Sequence, residues 1–238
     1  MSQYPYRPQQ PAWIDGRTAE TAERERTFIR SVYAWMFGGL MLTALAALWV
    51  VNSESMQNLI FGTSLRWVLL IAELGLVFYL SFRITKMSAG TAASVFLIFS
   101  LLNGLTLSSI FFVYTMGNIS AAFFTAAGMF GAMSVYGMVT KRDLTSWGSF
   151  FFMGLIGILI TMVINYFLKS PALSYAISLI GVFVFLGLTA YDTQKLKTYA
   201  TAPELRENLA IIGALALYLD FINLFLMLLR LFGGGDRR

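Results

Sequence analysis

Seven apolar runs, each close to the length of a bilayer-spanning helix, constrain this chain more than any other feature. They lie at about 31–51, 65–82, 91–114, 119–140, 146–168, 173–192 and 209–232. A helix needs about 20 apolar residues to cross the hydrocarbon core, and inside it every backbone N–H and C=O must be satisfied within the segment. None of the runs shows the period-2 alternation of a barrel strand, so each predicts a helix. Turn or charge signals separate them: Asn52-Ser53-Glu54, Arg83 to Gly90, Gly117-Asn118, Lys141-Arg142-Asp143, Lys169-Ser170-Pro171 and Thr193 to Asn208. The expectation is an all-α polytopic membrane protein of seven transmembrane helices. No internal repeat supports an inverted-repeat transporter.

Seven spans in 238 residues leave only tails and short loops. The organisation read from this is a flexible cytoplasmic tail over 1–30, a seven-helix domain over 31–232 and a short tail over 233–238. Only 12% of the residues are charged, against about 25% in a soluble domain. That disfavours a soluble enzyme, and also a nucleic-acid partner despite the net charge of +5. With no Cys and no His in the chain, disulfides, Ser-His-Asp triads and the usual zinc sites are excluded. No cofactor is expected, and the constant partner is the lipid bilayer.

Within the first thirty residues, Pro5, Pro8 and Pro11 favour an extended backbone, and Asp15 to Arg30 reads as a charged helical lead-in. Its length and its acids argue against a signal peptide. Basic residues divide twelve to five between alternate sides of the predicted spans, which places the N-terminus in the cytoplasm. The compact chain, without a eukaryotic sorting signal, points to a bacterial inner membrane. Small residues recur four apart in the fourth span (Ala127 and Gly131, Gly128 and Ala132), and Gly154 and Gly157 share a face in the fifth. Packing between helices of the same chain explains them most simply.

Three carboxylates interrupt the apolar spans: Glu73, Asp192 and Asp220. Each costs about 2.5–3.5 kcal/mol near the bilayer centre unless neutral, paired or hydrated. Asp192 closes the sixth run and Arg83 the second, both at the predicted cytoplasmic boundary. Asp220 lies eleven residues past Leu209, about 16 Å deep at 1.5 Å per residue, and Glu73 reaches a similar depth. Arg83, Asp192, Asp220 and Glu73 can therefore form a polar line towards the membrane centre. If Asp192 and Asp220 meet, two carboxylates in a poorly hydrated site cannot both ionise cheaply, and they share a proton. Oxygen ligands alone suit a hard cation such as calcium. The plainer alternatives are a solvated helix-end carboxylate for Asp192, a core hydrogen bond for Asp220, an acid bonded to a neighbouring helix for Glu73 and a positive-inside anchor for Arg83. Interhelical hydrogen bonds explain Asn103, Asn165 and Asn223.

The stretch Leu217-Tyr218-Leu219-Asp220-Phe221-Ile222-Asn223-Leu224-Phe225, followed by Leu228-Leu229-Arg230, resembles the last helix of the Bax inhibitor (transmembrane Bax inhibitor motif) family. Ala190-Tyr191-Asp192-Thr193-Gln194 resembles the end of that family's sixth helix, and Ala72-Glu73-Leu74 with Arg83 resembles its second. The resemblance implies a central last helix surrounded by six others. It also implies a cation leak, especially of calcium, controlled by a pH-sensitive aspartate pair linked to an arginine. Carried onto this chain, the pair is Asp192 and Asp220 and the arginine is Arg83, with Glu73 beside Asp220 on the ion pathway. The family's arginine often sits in a basic cluster, whereas Arg83 has only Lys86 nearby. Some bacterial relatives resemble inhibitors of a membrane-anchored AAA protease, so a regulatory partner is the alternative function. An enzyme is not expected. Intramembrane aspartates faintly resemble those of presenilin-type proteases, but Tyr218-Leu219 stands where those carry Gly-x-Gly, and no Pro-Ala-Leu follows.

Overall fold

The computed structural model describes residues 12–83, 86–200 and 207–234, with side chains from residue 21. Nine helices form among them, and eight of these make seven segments long and apolar enough to span a membrane, two adjoining pieces counting as one. The first, α1 (Ala12–Val51), runs 40 residues without interruption. At 1.5 Å per residue it is about 60 Å long, about twice the thickness of the hydrocarbon core. The charged lead-in is thus helical from Ala12 onward and continuous with the first span, whereas residues 1–11 and 235–238 of the predicted tails lie outside the described residues. A short helix, α2 (Glu54–Phe61), follows where only a loop was expected. Ser53 starts it by accepting a hydrogen bond from the Met56 N–H at 3.4 Å.

The second span is α3 (Leu65–Arg83). The third is made of α4 (Ala89–Leu107) and α5 (Ile110–Val113). It breaks where Ser108 and Ser109 turn their hydroxyls back onto the carbonyls of Leu105 (2.6 Å) and Thr106 (2.9 Å), a local bonding pattern that competes with the helix ladder. After α6 (Met116–Val139) come α7 (Thr145–Leu168), α8 (Pro171–Ala200) and α9 (Glu207–Gly233). Between α7 and α8, Lys169 adopts a left-handed φ of 51°. Asn165 secures that corner, accepting from the Ser170 N–H (3.0 Å) and donating to Ser174 Oγ (2.7 Å). Pro171 then begins α8, at the helix position where its missing N–H costs nothing.

The last helix occupies the middle of the bundle. In its most apolar window 72% of α9 is buried, against 17% for α3 and 6% for α7. It packs against α8, α6, α1 and α4, while α3 leans chiefly on α4 and α7 chiefly on α8. Helix association in lipid depends on close packing and hydrogen bonds more than on removal of apolar surface from water. Two glycines show that closeness. A Cβ on Gly104 would collide with the Thr43 carbonyl of α1, and one on Gly137 with the Ala190 carbonyl of α8. The spacing-based expectation for α6 is corrected here: Ala127, Gly128, Gly131 and Ala132 all face outward, and the helix packs instead through Ala122, Ala126, Phe130, Ser134 and Gly137. Of the two glycines in α7, Gly154 approaches Val184 at 3.1 Å from a built Cβ, and Gly157 faces open space.

Candidate functional site

Asp192 does not end its helix. The predicted break began at Thr193, but α8 continues two turns further to Ala200, because that polar stretch contains neither Gly nor Pro to stop it. Asp192 therefore projects from continuous helix. Its carboxyl group meets that of Asp220 on α9 in a side-chain hydrogen bond. Asp220 is only 5% exposed, and its Oδ2 receives no hydrogen bond from any described N–H or hydroxyl. A bond between two carboxyl groups requires a proton on one of them, so the geometry is one that a single shared proton would bridge.

The pair lies on the wall of a cavity of about 970 Å³ between α7, α8 and α9, to which α3 contributes Ser81. Among the described residues, Lys195, one helical turn on, is the cation whose charge acts on Asp192. Arg83 is exposed at the end of α3, is absent from the cavity wall and makes no ion pair with either aspartate. The structure thus joins Asp192 to Asp220 and leaves Arg83 apart from them. Two aspartate side chains alone also fall short of the 6–8 oxygen ligands that calcium takes. No group of three or more acidic side chains suited to a metal occurs among the described residues.

Glu73 belongs to a separate polar cluster. Its carboxylate accepts from Asn103 Nδ2 (3.0 Å) and Thr106 Oγ1 (2.8 Å), both on α4. Asn103 Oδ1 in turn accepts from the Tyr218 hydroxyl at 2.9 Å. That hydroxyl also lies 2.6 Å from Thr43 Oγ1, which reaches the carbonyls of Gly39 (2.9 Å) and Ser100 (2.8 Å). The chain of contacts ties α3, α4, α9 and α1 together. It is fixed in place by the Tyr218 ring, which sits edge-on to Phe96 and Phe99 at 5.8 and 5.6 Å. Glu73 is therefore bonded to a neighbouring helix, and it also lines a second cavity of about 660 Å³ between α3, α7 and α9.

The two cavities share four wall residues: Leu155, Phe185, Leu219 and Asn223. This common wall has the aspartate pair on one side and Glu73 and Asn103 on the other. Among the described residues Asn223 bonds to no other helix. Its amide donates to its own Leu219 carbonyl at 2.8 Å, unlike Asn103, which bonds across helices as expected. Gln194, which entered the sequence analysis only as part of a motif, is a clamp. It accepts from the Leu144 N–H (2.9 Å) and donates to the Arg142 carbonyl (2.8 Å), fixing the loop between α6 and α7. Lys197 reinforces the same corner by donating to the Met138 carbonyl at 2.7 Å. Sequence reasoning missed Lys195, Tyr218, Thr43 and Thr106 as site residues. The one available signal was spacing, because Lys195 follows Asp192 by three residues on the same helical face.

Comparison with known proteins agrees with this architecture. The family described as "Inhibitor of apoptosis-promoting Bax1" matches residues 25–237. The chain is 52% identical over 214 residues to inner membrane protein YbhL of Escherichia coli (strain K12), covering 87% of this chain and 92% of that protein. It is 42% identical over 227 residues to protein RP147 of Rickettsia prowazekii (strain Madrid E), covering 91% and 96% respectively. Against protein YrjE of Lactococcus lactis subsp. lactis (strain IL1403) it is 37% identical over 217 residues, covering 88% and 92%. A match over nearly the whole seven-helix domain establishes that the chain belongs to the Bax inhibitor family.

Proposed function

We propose that this protein is a cation leak of the bacterial inner membrane, with calcium as its cargo, and that the proton on the Asp192–Asp220 pair controls passage. The location follows from the resemblance to an inner membrane protein and from the seven apolar spans. The distribution of basic residues supports a cytoplasmic position for the Lys195 end of the bundle. The observation that carries the reading is the meeting of the two carboxyl groups on a cavity wall. With one proton the pair bridges α8 and α9. Without it, two like charges about 4 Å apart repel by about 4 kcal/mol at an effective dielectric of about 20. That is comparable to the gap between two conformations of a switching protein. Glu73 and Asn103 line the second cavity across the shared wall, where Asn223 is the one polar residue common to both spaces, and they would be the next polar groups on such a path. Purified protein in liposomes tests the reading through calcium flux measured against pH. Wild type should leak with a pH response, and Asp220→Asn should lose that response. Identical leak and identical response in the two proteins would reject the proposal.

A second reading, regulation of a membrane-anchored AAA protease, draws on α1. Its length carries a charged helical extension beyond the bilayer, the kind of surface a partner can grip. Deleting residues 1–26 should then abolish regulation of the partner and leave calcium flux intact. Loss of flux with regulation preserved would reject this role.

A further inference from the structure

We propose that Lys195 is a tethered cation standing in the mouth of the aspartate cavity, and that it competes with a free cation for the Asp192–Asp220 pair. The inference rests on the leak reading above and names what guards its entrance. A third cavity, of about 450 Å³, lies at the end of the bundle where the α6–α7 loop meets α8. Lys141, Arg142, Asp143, Gln194 and Thr198 are among its lining residues. The residues it shares with the aspartate cavity are Tyr191, Lys195 and Tyr199. They stand four apart on one stripe of α8, so a cation passing between the two spaces moves past all three.

The lysine is held there from both sides. Its ammonium sits 5.7 Å from the centre of the Tyr191 ring and 5.7 Å from that of Tyr199, within the range of cation–π attraction. It lies near enough to the Asp192 carboxyl to feel its charge without forming an ion pair with it. Tyr191 in turn is seated against Gly148 of α7, where a built Cβ would come within 2.5 Å of the ring. The Gln194 clamp keeps the adjoining loop fixed. The charged and titratable groups facing Lys195 are thus Asp192, Tyr191 and Tyr199 on its own helix, with Lys141, Arg142 and Asp143 of the loop lining the outer cavity and Asp220 of α9 the inner one. Arg83 lines neither space.

An ammonium on a flexible stem, held over the two rings, can offset the charge of the pair from beside it, and it can swing away when a divalent ion takes its place. The proposal makes Lys195 a positioning residue whose charge is the active property. Two readouts on the intact protein test it: calcium flux in proteoliposomes, and equilibrium binding of calcium to purified protein. Removing the attraction between one ammonium, one carboxylate and two rings corresponds to about a tenfold change. Lys195→Gln is therefore expected to bind calcium about tenfold more tightly and to leak faster, while Lys195→Arg, which keeps the charge, stays near wild type. Equal calcium affinity in wild type and Lys195→Gln, or Lys195→Arg behaving like Lys195→Gln, would overturn the proposal. If neither protein conducts but the affinities differ as stated, the competition stands and the leak reading fails.

Discussion

Tyr218→Phe removes one oxygen from the centre of the buried network and leaves the aromatic packing intact. The ring would keep its edge-on contacts with Phe96 and Phe99. The bond to Asn103 Oδ1 at 2.9 Å and the contact with Thr43 at 2.6 Å would disappear. Interhelical hydrogen bonds in membranes average about 0.6 kcal/mol, reaching about 1.7. Leaving the Asn103 oxygen buried without a donor adds about 1–3 kcal/mol. These effects overlap, so the expected destabilisation is about 2 kcal/mol, or about 4–8 °C in Tm for a chain of this size. Asn103 would also lose the bond that sets its amide orientation, and with it the donor to Glu73 at 3.0 Å would be less firmly held. Thermal unfolding of the detergent-purified protein measures the first effect. Calcium flux against pH measures whether the aspartate pair is disturbed, and it should not be, because Tyr218 lines neither cavity. An unchanged Tm would show that the hydroxyl bonds contribute nothing and would refute the account of the network.

Further predictions concern packing and the loop. Gly104→Val should cost about 1–3 kcal/mol through overpacking, because its Cβ meets the Thr43 carbonyl. Gly131→Leu, on the outward face of α6 with nothing within 4 Å, should leave Tm near wild type; the two variants compared by thermal unfolding check the orientation of both helices. Asp143, in the α6–α7 loop, accepts from the Thr145 hydroxyl (2.6 Å) and N–H (2.9 Å), and those bonds hold its carboxyl below the ordinary Asp value of 3.8. The stabilisation is present above the unfolded value and is lost as pH falls through the lower folded one. Titration of labelled Asp143 by NMR should find it still ionised below the midpoint of free Asp, and Thr145→Ala should bring the midpoint back.

Hydropathy located all seven spans, since burial in lipid is read directly from run length. It misjudged the end of α8, because hydropathy reports where lipid ends and not where a helix ends. Thr193 to Ala200 is polar yet helix-compatible, and it carries Lys195 onto the same face as Asp192. The α6 glycines show a related ambiguity. A spacing of four recurs on every face of a helix, so Gly128 and Gly131 could not be distinguished from Gly137 without knowing which side meets α8. Asp192 and Asp220 were identifiable because charge inside an apolar run is costly. Their cationic neighbour was not: Arg83 and Lys195 both end near the same boundary, and only packing shows which one turns inward. Tyr218 and Thr43 were hidden for the opposite reason, since hydroxyls are common in spans and their partners lie 175 residues apart.

Infrared difference spectroscopy of the purified protein, with labelled aspartate and the pH stepped through neutrality, addresses the shared proton most directly. Wild type should show the carbonyl band of one protonated aspartic acid that disappears as pH rises, and Asp192→Asn and Asp220→Asn should each alter or abolish it. A spectrum in which no aspartate is protonated at any pH near neutrality, or in which the band is unchanged in both variants, would contradict the account.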